Sequence, residues 1–370
     1  MSTSLTGPAG AQHSMVDWNL AARIGARVAR PGPSVGTEAV RNVVEELRRF
    51  AVEARAHVRG YTGLDAPAAD APVAVVDRAA WVRANADGFR TLLAPVEDRI
   101  LARRREKKGD RAPARVVAAI GSTVTAAEVG GLLGWMSSKV LGQYELLPLP
   151  GNGVSRLLLV APNIVAVEQA LGVDPQDFRL WVCLHEETHR VQFTAVPWLR
   201  DHLVSEVTEL LVSLDLQSEE MVSRLRDAVG ALGAAVRGAP GPSIADAIQT
   251  PEQRVAIDRL TAVMALLEGH ADHVMDGVGP AVIPTVGTIR TQFQRRRNSP
   301  SPADAFLRRL LGLDAKLRQY KEGKRFVDAA VDAVGMAGFN RVWQQASHLP
   351  TPEEIADPDR WVARVGRADV

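Results

Sequence analysis

Residues 184–189, with the sequence Leu-His-Glu-Glu-Thr-His, constrain the fold of this chain more than any other segment. Two histidines four residues apart share one face of an α-helix, so both imidazoles can reach the same point. A helix is expected here, because Asp174 is a favourable N-cap residue and Pro175 suits the first helical position. The apolar residues 181–184 indicate that this helix is buried, where histidine and glutamate without partners would be unfavourable.

His185, Glu186 and His189 form the pattern HExxH, which is typical of a zinc site on a helix. Neutral imidazole nitrogens are good ligands for Zn²⁺. Glu186 projects beside the metal position, where it can accept a proton from water that the metal has made more acidic. The pattern therefore predicts a zinc-dependent hydrolase with Glu186 as the general base.

A catalytic zinc site needs a third protein ligand. Gln192 and Ala195 stand where a metzincin would have glycine and a third histidine, so that class is not expected. Glu268, on a second apolar helix, is the preferred candidate. Asp272 follows one turn later and is expected to hold the other ring nitrogen of a ligating histidine, His185 in the first instance.

Two histidines near Glu268 remain alternatives for the third ligand. His270 lies about 200° and His273 about 140° around the helix from Glu268, so neither shares its face well. His273 or Tyr144 could instead stabilise the oxyanion of a tetrahedral intermediate. Gly269 is expected to let this helix approach the histidine-bearing helix closely.

Most of the remaining sequence predicts helices, and aromatic residues make up only 5% of the chain. The clearest β signal is residues 143–162, where two apolar segments flank a Gly/Asn turn at 150–153 and predict a hairpin. Its second strand, 154–162, could bind an extended substrate by strand addition. Asn163 is expected to cap the next helix, and Thr250 with Gln253 is expected to form a capping box at the start of the helix that carries Glu268. The predicted fold class is mainly α (α+β), with a small β-hairpin or sheet next to the HExxH helix.

The sequence suggests four regions. Residues 1–14 are expected to be a disordered tail, and residues 15–142 an N-terminal helical region. Residues 143–280 would form the core with the hairpin and both ligand-bearing helices. Residues 281–370 would form a C-terminal helical region packed on that core.

Composition excludes several classes of function. Lys and Arg number 44 and Asp and Glu 43, so no global field favours nucleic acid or an anionic membrane as a partner. Cys183 is the single cysteine, which rules out an intramolecular disulfide and a thiolate zinc knuckle. Residues 1–15 lack the features of a secretory signal, so a cytoplasmic location is expected. Residues 115–140 are rich in small residues and predict a buried helix or helix pair rather than a membrane span.

The HExxH motif followed by Glu268 and Asp272 resembles the gluzincin arrangement of thermolysin-like zinc peptidases. More closely, residues 15–365 resemble an actinobacterial and chloroflexal family of predicted zinc-dependent metalloproteases, also labelled as hydrolases associated with deazaflavin coenzyme biosynthesis. The matching stretches are residues 17–21, 30–33, 140–144, 184–193, 268–271, 339–343 and 349–351. The resemblance implies a multi-helical zincin-like core, zinc at His185, His189 and Glu268, and a catalytic Glu186. It implies no substrate.

Three functions remain open at this point. The first is a zinc-dependent peptidase or other amide hydrolase, whose peptide or amide substrate and oligomeric state the sequence does not define. The second is a zinc-containing structural or partner-binding protein with little or no turnover. The third is a helical partner-binding module without metal. Glu186 favours the first, because a structural zinc site needs no general base and closes all four positions with protein ligands.

Overall fold

The computed structural model describes residues 16–66, 72–108, 115–146, 155–213, 250–298 and 313–367. Within these ranges the chain forms α-helices and one small sheet, so the predicted mainly α class is confirmed. The predicted tail at 1–14 and the hairpin turn at 150–153 lie outside them. The elements, in chain order, are α1 (Trp18–Val28), α2 (Thr37–Thr62), β1 (Val73–Val76), α3 (Arg78–Lys108), α4 (Arg115–Met136), β2 (Gly142–Tyr144), β3 (Leu157–Val160), α5 (Ala161–Leu171), α6 (Pro175–Ala195), α7 (Pro197–Ser213), α8 (Pro251–Val282), α9 (Val286–Asn298), α10 (Leu313–Phe339), α11 (Pro352–Ala356) and α12 (Pro358–Trp361).

The described residues fall into two compact units. One contains α1, α3 and α4, and the other contains α2, the sheet and all helices from α5 onward. The boundaries of the four regions predicted from the sequence differ from those of these two units. The division into four regions stays a prediction. Residues 31–77 join the unit that carries HExxH, so α2 belongs with the candidate site.

Small residues explain the packing of α1 against α4 in the first unit. A Cβ atom on Gly130 would lie only 2.6 Å from the carbonyl oxygen of Ala21, so the helix backbones approach directly. The small-residue helix predicted within 115–140 agrees with α4, but the expectation that it is buried does not, because Leu132 and Met136 are 41% and 36% exposed. Among the described residues, no helix has a long enough apolar stretch to cross a bilayer.

The sheet has the strand order β1–β3–β2. β3 pairs antiparallel with β2, which agrees with the predicted hairpin, and parallel with β1, which sequence analysis missed. Every residue of β3 is fully buried. Because β3 is paired along both edges, it has no free edge to which an extended substrate could bind. The expectation of substrate binding by strand addition to β3 is therefore wrong.

Two predicted helix starts are present as expected. The carboxylate of Asp174 accepts a hydrogen bond of 2.9 Å from the backbone N–H of Asp177, with Pro175 in the first turn of α6. At the start of α8, Thr250 and Gln253 form a reciprocal capping box. These caps fix the ends of the two helices that carry the candidate site.

The predicted cap at Asn163 is wrong. Val160 is the N-cap of α5, and Asn163 lies in the first turn of that helix. Its buried side chain donates a 2.6 Å hydrogen bond to the carbonyl oxygen of Val140 instead. This contact anchors the segment leading into β2.

The helix α8 contributes to both apolar clusters of the second unit. Val274 and Met275 pack in one cluster with residues of α2, α5 and α6, among them Phe178. Leu266 and Leu267 pack in the other, with residues of α10 and the C-terminal turns. Glu268 therefore lies at the junction of the two clusters, on a helix that is held from both sides.

The contact between α8 and α10 is unusually close. A Cβ atom on Gly269 would lie 2.3 Å from the carbonyl carbon of Gly323, and one on Gly323 would lie 2.0 Å from the carbonyl oxygen of Ala265. The expectation that Gly269 faces the HExxH helix is therefore wrong. It faces α10, and the pair of glycines allows the two backbones to touch.

Replacing Gly323 with alanine should lower the free energy of unfolding by about 1–3 kcal/mol, because the added methyl group overlaps the Ala265 carbonyl. Urea unfolding followed by circular dichroism would measure the change. The control is Gly287→Ala in α9, where an added Cβ meets no atom within 4 Å. Equal destabilisation by both changes would contradict this packing.

Candidate metal centre

Three side chains from two helices converge in the second unit. His185 and His189 of α6 place their Nε2 atoms 3.2 Å apart, with ring planes at 90°. Glu268 of α8 places one carboxylate oxygen 3.7 Å from Nε2 of His185 and the other 3.7 Å from Nε2 of His189. Among the described residues this is the one group of three such donors close enough together to hold a metal ion.

The chemistry and spacing of these donors fit a zinc ion. Nitrogen and oxygen ligands about 2.0–2.2 Å from a tetrahedral zinc lie about 3.3–3.5 Å from one another, close to the separations found here. The side chains of His185 and Glu268 each remain 27% exposed, against 14% for His189. The cluster is thus open to solvent on one side, as a site that keeps a position for water requires.

Glu186 lies beside this cluster in a buried position, with 6% of its surface exposed. Burial, reinforced by the negative charges of Glu268 and Glu187, raises the pKa of Glu186 to about 8. A cation between the three donors would oppose this effect by favouring the charged carboxylate. An ideal Cβ atom on Gly142 of β2 would lie 2.5 Å from the carboxyl carbon of Glu186. The edge strand β2 therefore packs its backbone directly against the carboxylate.

The sequence of residues 16–362 matches the family model of zincin-like metallopeptidases. The chain belongs to the zincin-like metallopeptidase family. Its members are metal-dependent hydrolases, so the family implies a bound metal ion. The resemblance to a chloroflexal metalloprotease family, noted from the sequence, is confirmed.

A solved relative agrees with this assignment. The chain is similar to a protein from Chloroflexus aurantiacus, whose crystal structure was described as that of a proposed hydrolase with a novel fold. The two share 32% sequence identity with a TM-score of 0.66, and the match covers 96% of this chain and 100% of the other. No curated protein sequence matches the chain.

Asp272 lies one turn after Glu268 on α8. Burial lowers the pKa of His189, and the negative charges of Glu268 and, more weakly, Asp272 oppose that change. Asp272 is thus near the histidine pair. Its proposed bond to His185 stays a prediction.

The two predicted transition-state donors have different surroundings. His273 bonds through Nδ1 to Asp328 of α10 at 2.7 Å and through Nε2 to the hydroxyl group of Tyr61 of α2 at 3.2 Å. Tyr144 of β2 stacks on Phe193 of α6, with ring centres 5.5 Å apart. Both ring nitrogens of His273 thus face neighbouring helices, whereas Tyr144 lies on the strand that packs against Glu186.

His270 does not belong to the converging group. Its ring is fully buried, 5.6 Å from Phe339 and 5.3 Å from Trp343 between ring centres. Burial, with smaller contributions from His273 and His189, lowers the pKa of His270 to about 3, so the ring is neutral at pH 7.

Two functional contacts were missed from the sequence. Gln192, noted there only as a departure from the metzincin motif, bonds directly to His189. Its position three residues after His189, on the same helix face, was the available signal. The contact between Gly142 and Glu186 has no comparable signal, because it joins a strand to a helix distant in sequence.

A double-mutant cycle would test the contact between Gly142 and Glu186. Gly142→Ala should destabilise the protein by about 1–3 kcal/mol in the wild-type background, because the methyl group overlaps the carboxylate. In a Glu186→Ala background the same change should be much less destabilising, because the overlapping atoms are gone. Denaturant unfolding of the wild type, the two single variants and the double variant gives the coupling free energy between the two positions.

The control for that cycle is Gly60→Ala in α2, where an added Cβ has no neighbour within 4 Å. Its effect should be the same in both backgrounds. Additive effects of Gly142→Ala and Glu186→Ala would show that the two residues are not in contact.

Proposed function

We propose that this chain is a zinc-dependent peptidase of the gluzincin type, with His185, His189 and Glu268 as zinc ligands and Glu186 as the general base. The observation that carries the proposal is the convergence of one carboxylate and two imidazoles from two helices, within 3.7 Å of one another. Membership of the zincin-like metallopeptidase family supports the same reading.

The surroundings favour catalysis over a structural zinc. A structural site closes all four metal positions with protein ligands, whereas three donors converge here and two of them are partly exposed. Glu186 adds a second carboxyl group beside the three donors, which a purely structural site would not need. The alternative, a zinc-containing structural or partner-binding protein, leaves Glu186 without a role.

In the proposed reaction each residue has a separate task. Zinc held by the three ligands would supply a Lewis acid for the substrate carbonyl group and make water a stronger acid. Glu186 takes a proton from the attacking water and returns it to the leaving nitrogen as the amide bond breaks. Gly142 leaves room for the Glu186 carboxylate at this position.

Of the two candidates for stabilising the oxyanion of the tetrahedral intermediate, we keep Tyr144. It lies two residues after Gly142 on the strand beside Glu186, whereas both nitrogens of His273 are engaged by Asp328 and Tyr61. A peptide or amide as substrate and a cytoplasmic location stay predictions, as does the absence of nucleic-acid and membrane partners.

Glu186→Gln should reduce turnover about 100-fold or more while the purified protein keeps about one zinc per chain, because the amide cannot accept the proton. Cleavage of a mixture of synthetic peptides, followed by mass spectrometry, measures turnover. Elemental analysis measures zinc.

Glu209→Gln, the same substitution at an exposed position of α7, is the control and should leave turnover unchanged. Unchanged turnover in Glu186→Gln would overturn the hydrolase mechanism. A wild-type protein that binds zinc but cleaves no peptide would favour the structural alternative.

Glu268→Ala should weaken zinc binding by more than the 10–100-fold loss that is typical when only an outer partner of a ligand is removed. His273→Gln should change zinc affinity by less than about threefold, since the ring nitrogens of His273 bond to Asp328 and Tyr61 rather than to a zinc ligand. Competition with a chromophoric chelator measures both dissociation constants. The reverse order of effects would assign the third ligand to His273.

A further inference from the structure

We infer that Gln192 is a positioning residue that sets the tautomer of His189 and ties it to the backbone of the helix carrying Glu268. The inference rests on the proposed zinc site and adds a residue to its support. Gln192 is fully buried, and its side-chain amide contacts three groups: Nδ1 of His189, the carbonyl oxygen of Leu267 and Nδ1 of His270.

The Leu267 carbonyl fixes the orientation of the amide. A backbone carbonyl oxygen only accepts hydrogen bonds, so the group that faces it at 3.0 Å must be the NH₂ of Gln192. The amide oxygen of Gln192 then necessarily faces Nδ1 of His189, also at 3.0 Å. The orientation follows from the chemistry of the partners alone.

The tautomer of His189 follows from that orientation. Because the amide oxygen of Gln192 only accepts, Nδ1 of His189 must carry the proton. The lone pair of the neutral ring is then on Nε2, the atom that faces His185 and Glu268 at 3.2 and 3.7 Å. A hydrogen bond at the remote nitrogen also fixes the ring orientation and raises its basicity as a ligand.

The second N–H of the amide links His270 into the same chain of contacts. It points to Nδ1 of His270 at 2.9 Å, so that nitrogen accepts and the proton of the neutral ring lies on Nε2. The ring of His270 is held between Phe339 and Trp343. Gln192 is thus anchored by aromatic packing, with its oxygen and both of its N–H groups in use.

The bond to Leu267 also controls the spacing of the ligands. Leu267 directly precedes Glu268 on α8, and Gln192 lies three residues after His189 on α6. One amide therefore connects the backbone beside the carboxylate ligand to the ring of an imidazole ligand. Without this amide, the ring of His189 would be free to rotate. The distance between α6 and α8 would also no longer be fixed at this point.

Three variants separate the positioning role from a general effect on stability. Gln192→Leu removes the acceptor and both donors. Gln192→Glu keeps an oxygen for the Nδ1 proton of His189 in either protonation state. Gln253→Leu is the matched control, since Gln253 is also buried and also bridges two helices, bonding to the backbone of Thr250 and Ser213.

Zinc affinity, measured by competition with a chromophoric chelator, is the first readout. Gln192→Leu should raise the zinc dissociation constant 10–100-fold, as removal of a ligand's outer partner typically does. Gln192→Glu should raise it less than about tenfold, because glutamate keeps the acceptor for Nδ1 of His189 but, when ionised, lacks the donor for the Leu267 carbonyl. Gln253→Leu should leave it unchanged, even where urea unfolding shows lower stability.

The tautomer itself is the second readout and needs no variant. In the metal-free wild type with ¹⁵N-labelled histidine, where no ion at Nε2 dictates the position of the proton, long-range ¹H–¹⁵N spectra of the neutral ring should show a proton on Nδ1 of His189. This measurement remains decisive if Gln192→Leu does not fold.

The inference would be overturned by an unprotonated Nδ1 of His189, by wild-type zinc affinity in Gln192→Leu, or by equal losses in Gln192→Leu and Gln192→Glu. An equal loss of zinc affinity in Gln253→Leu would also overturn it, since the loss in Gln192→Leu could then be explained by lower stability alone. Failure of the wild type to bind zinc would instead remove the proposed function. The two failures are therefore distinguishable.

Discussion

The convergence of two imidazoles and one carboxylate is the arrangement on which the rest of the molecule depends. The imidazoles need only one helix, because four residues bring His185 and His189 to the same face. The carboxylate of Glu268 comes from another helix, and its oxygens lie 3.7 Å from both Nε2 atoms. Holding that distance requires that α6 and α8 be fixed relative to each other, and much of the second unit serves this purpose.

Both sides of α8 are fixed by contacts that involve its backbone. On one side Gly269 meets Gly323 of α10, so the two helices touch without intervening side chains. On the other side the Leu267 carbonyl accepts a hydrogen bond from Gln192 of α6. The glycine contact leaves α8 and α10 little freedom to slide, since no side chain separates their backbones at that point. Glu268, between Leu267 and Gly269, is thereby held toward the histidines.

Two buried acidic residues of α6, Glu186 and Glu187, differ in what lies beside their carboxylates. Glu187 pairs with Arg190 at 2.7 Å, yet burial raises its pKa to about 7 in spite of that partner. Glu186 has no such cationic side chain bonded to it in the described part of the chain, and its carboxylate packs against Gly142. A cation beside Glu186 would balance its charge, which accords with the metal that the family implies.

The sequence by itself determined the local features: the start of α6 at Asp174, the capping box at Thr250, the mainly α class and the shared face of His185 and His189. These depend on neighbours along the chain, where spacing and residue type are sufficient. It also singled out Glu268 as a third ligand, and the structure brings that residue to the histidine pair. Only the tertiary structure decided the contacts between distant segments. These are the parallel strand β1, the approach of Gly142 to Glu186, the packing of Gly269 on α10 and the bridge from Gln192 to Leu267. Each contact joins residues of different elements. The periodicity of the sequence relates only residues within one element, and the distance between elements depends on how they pack.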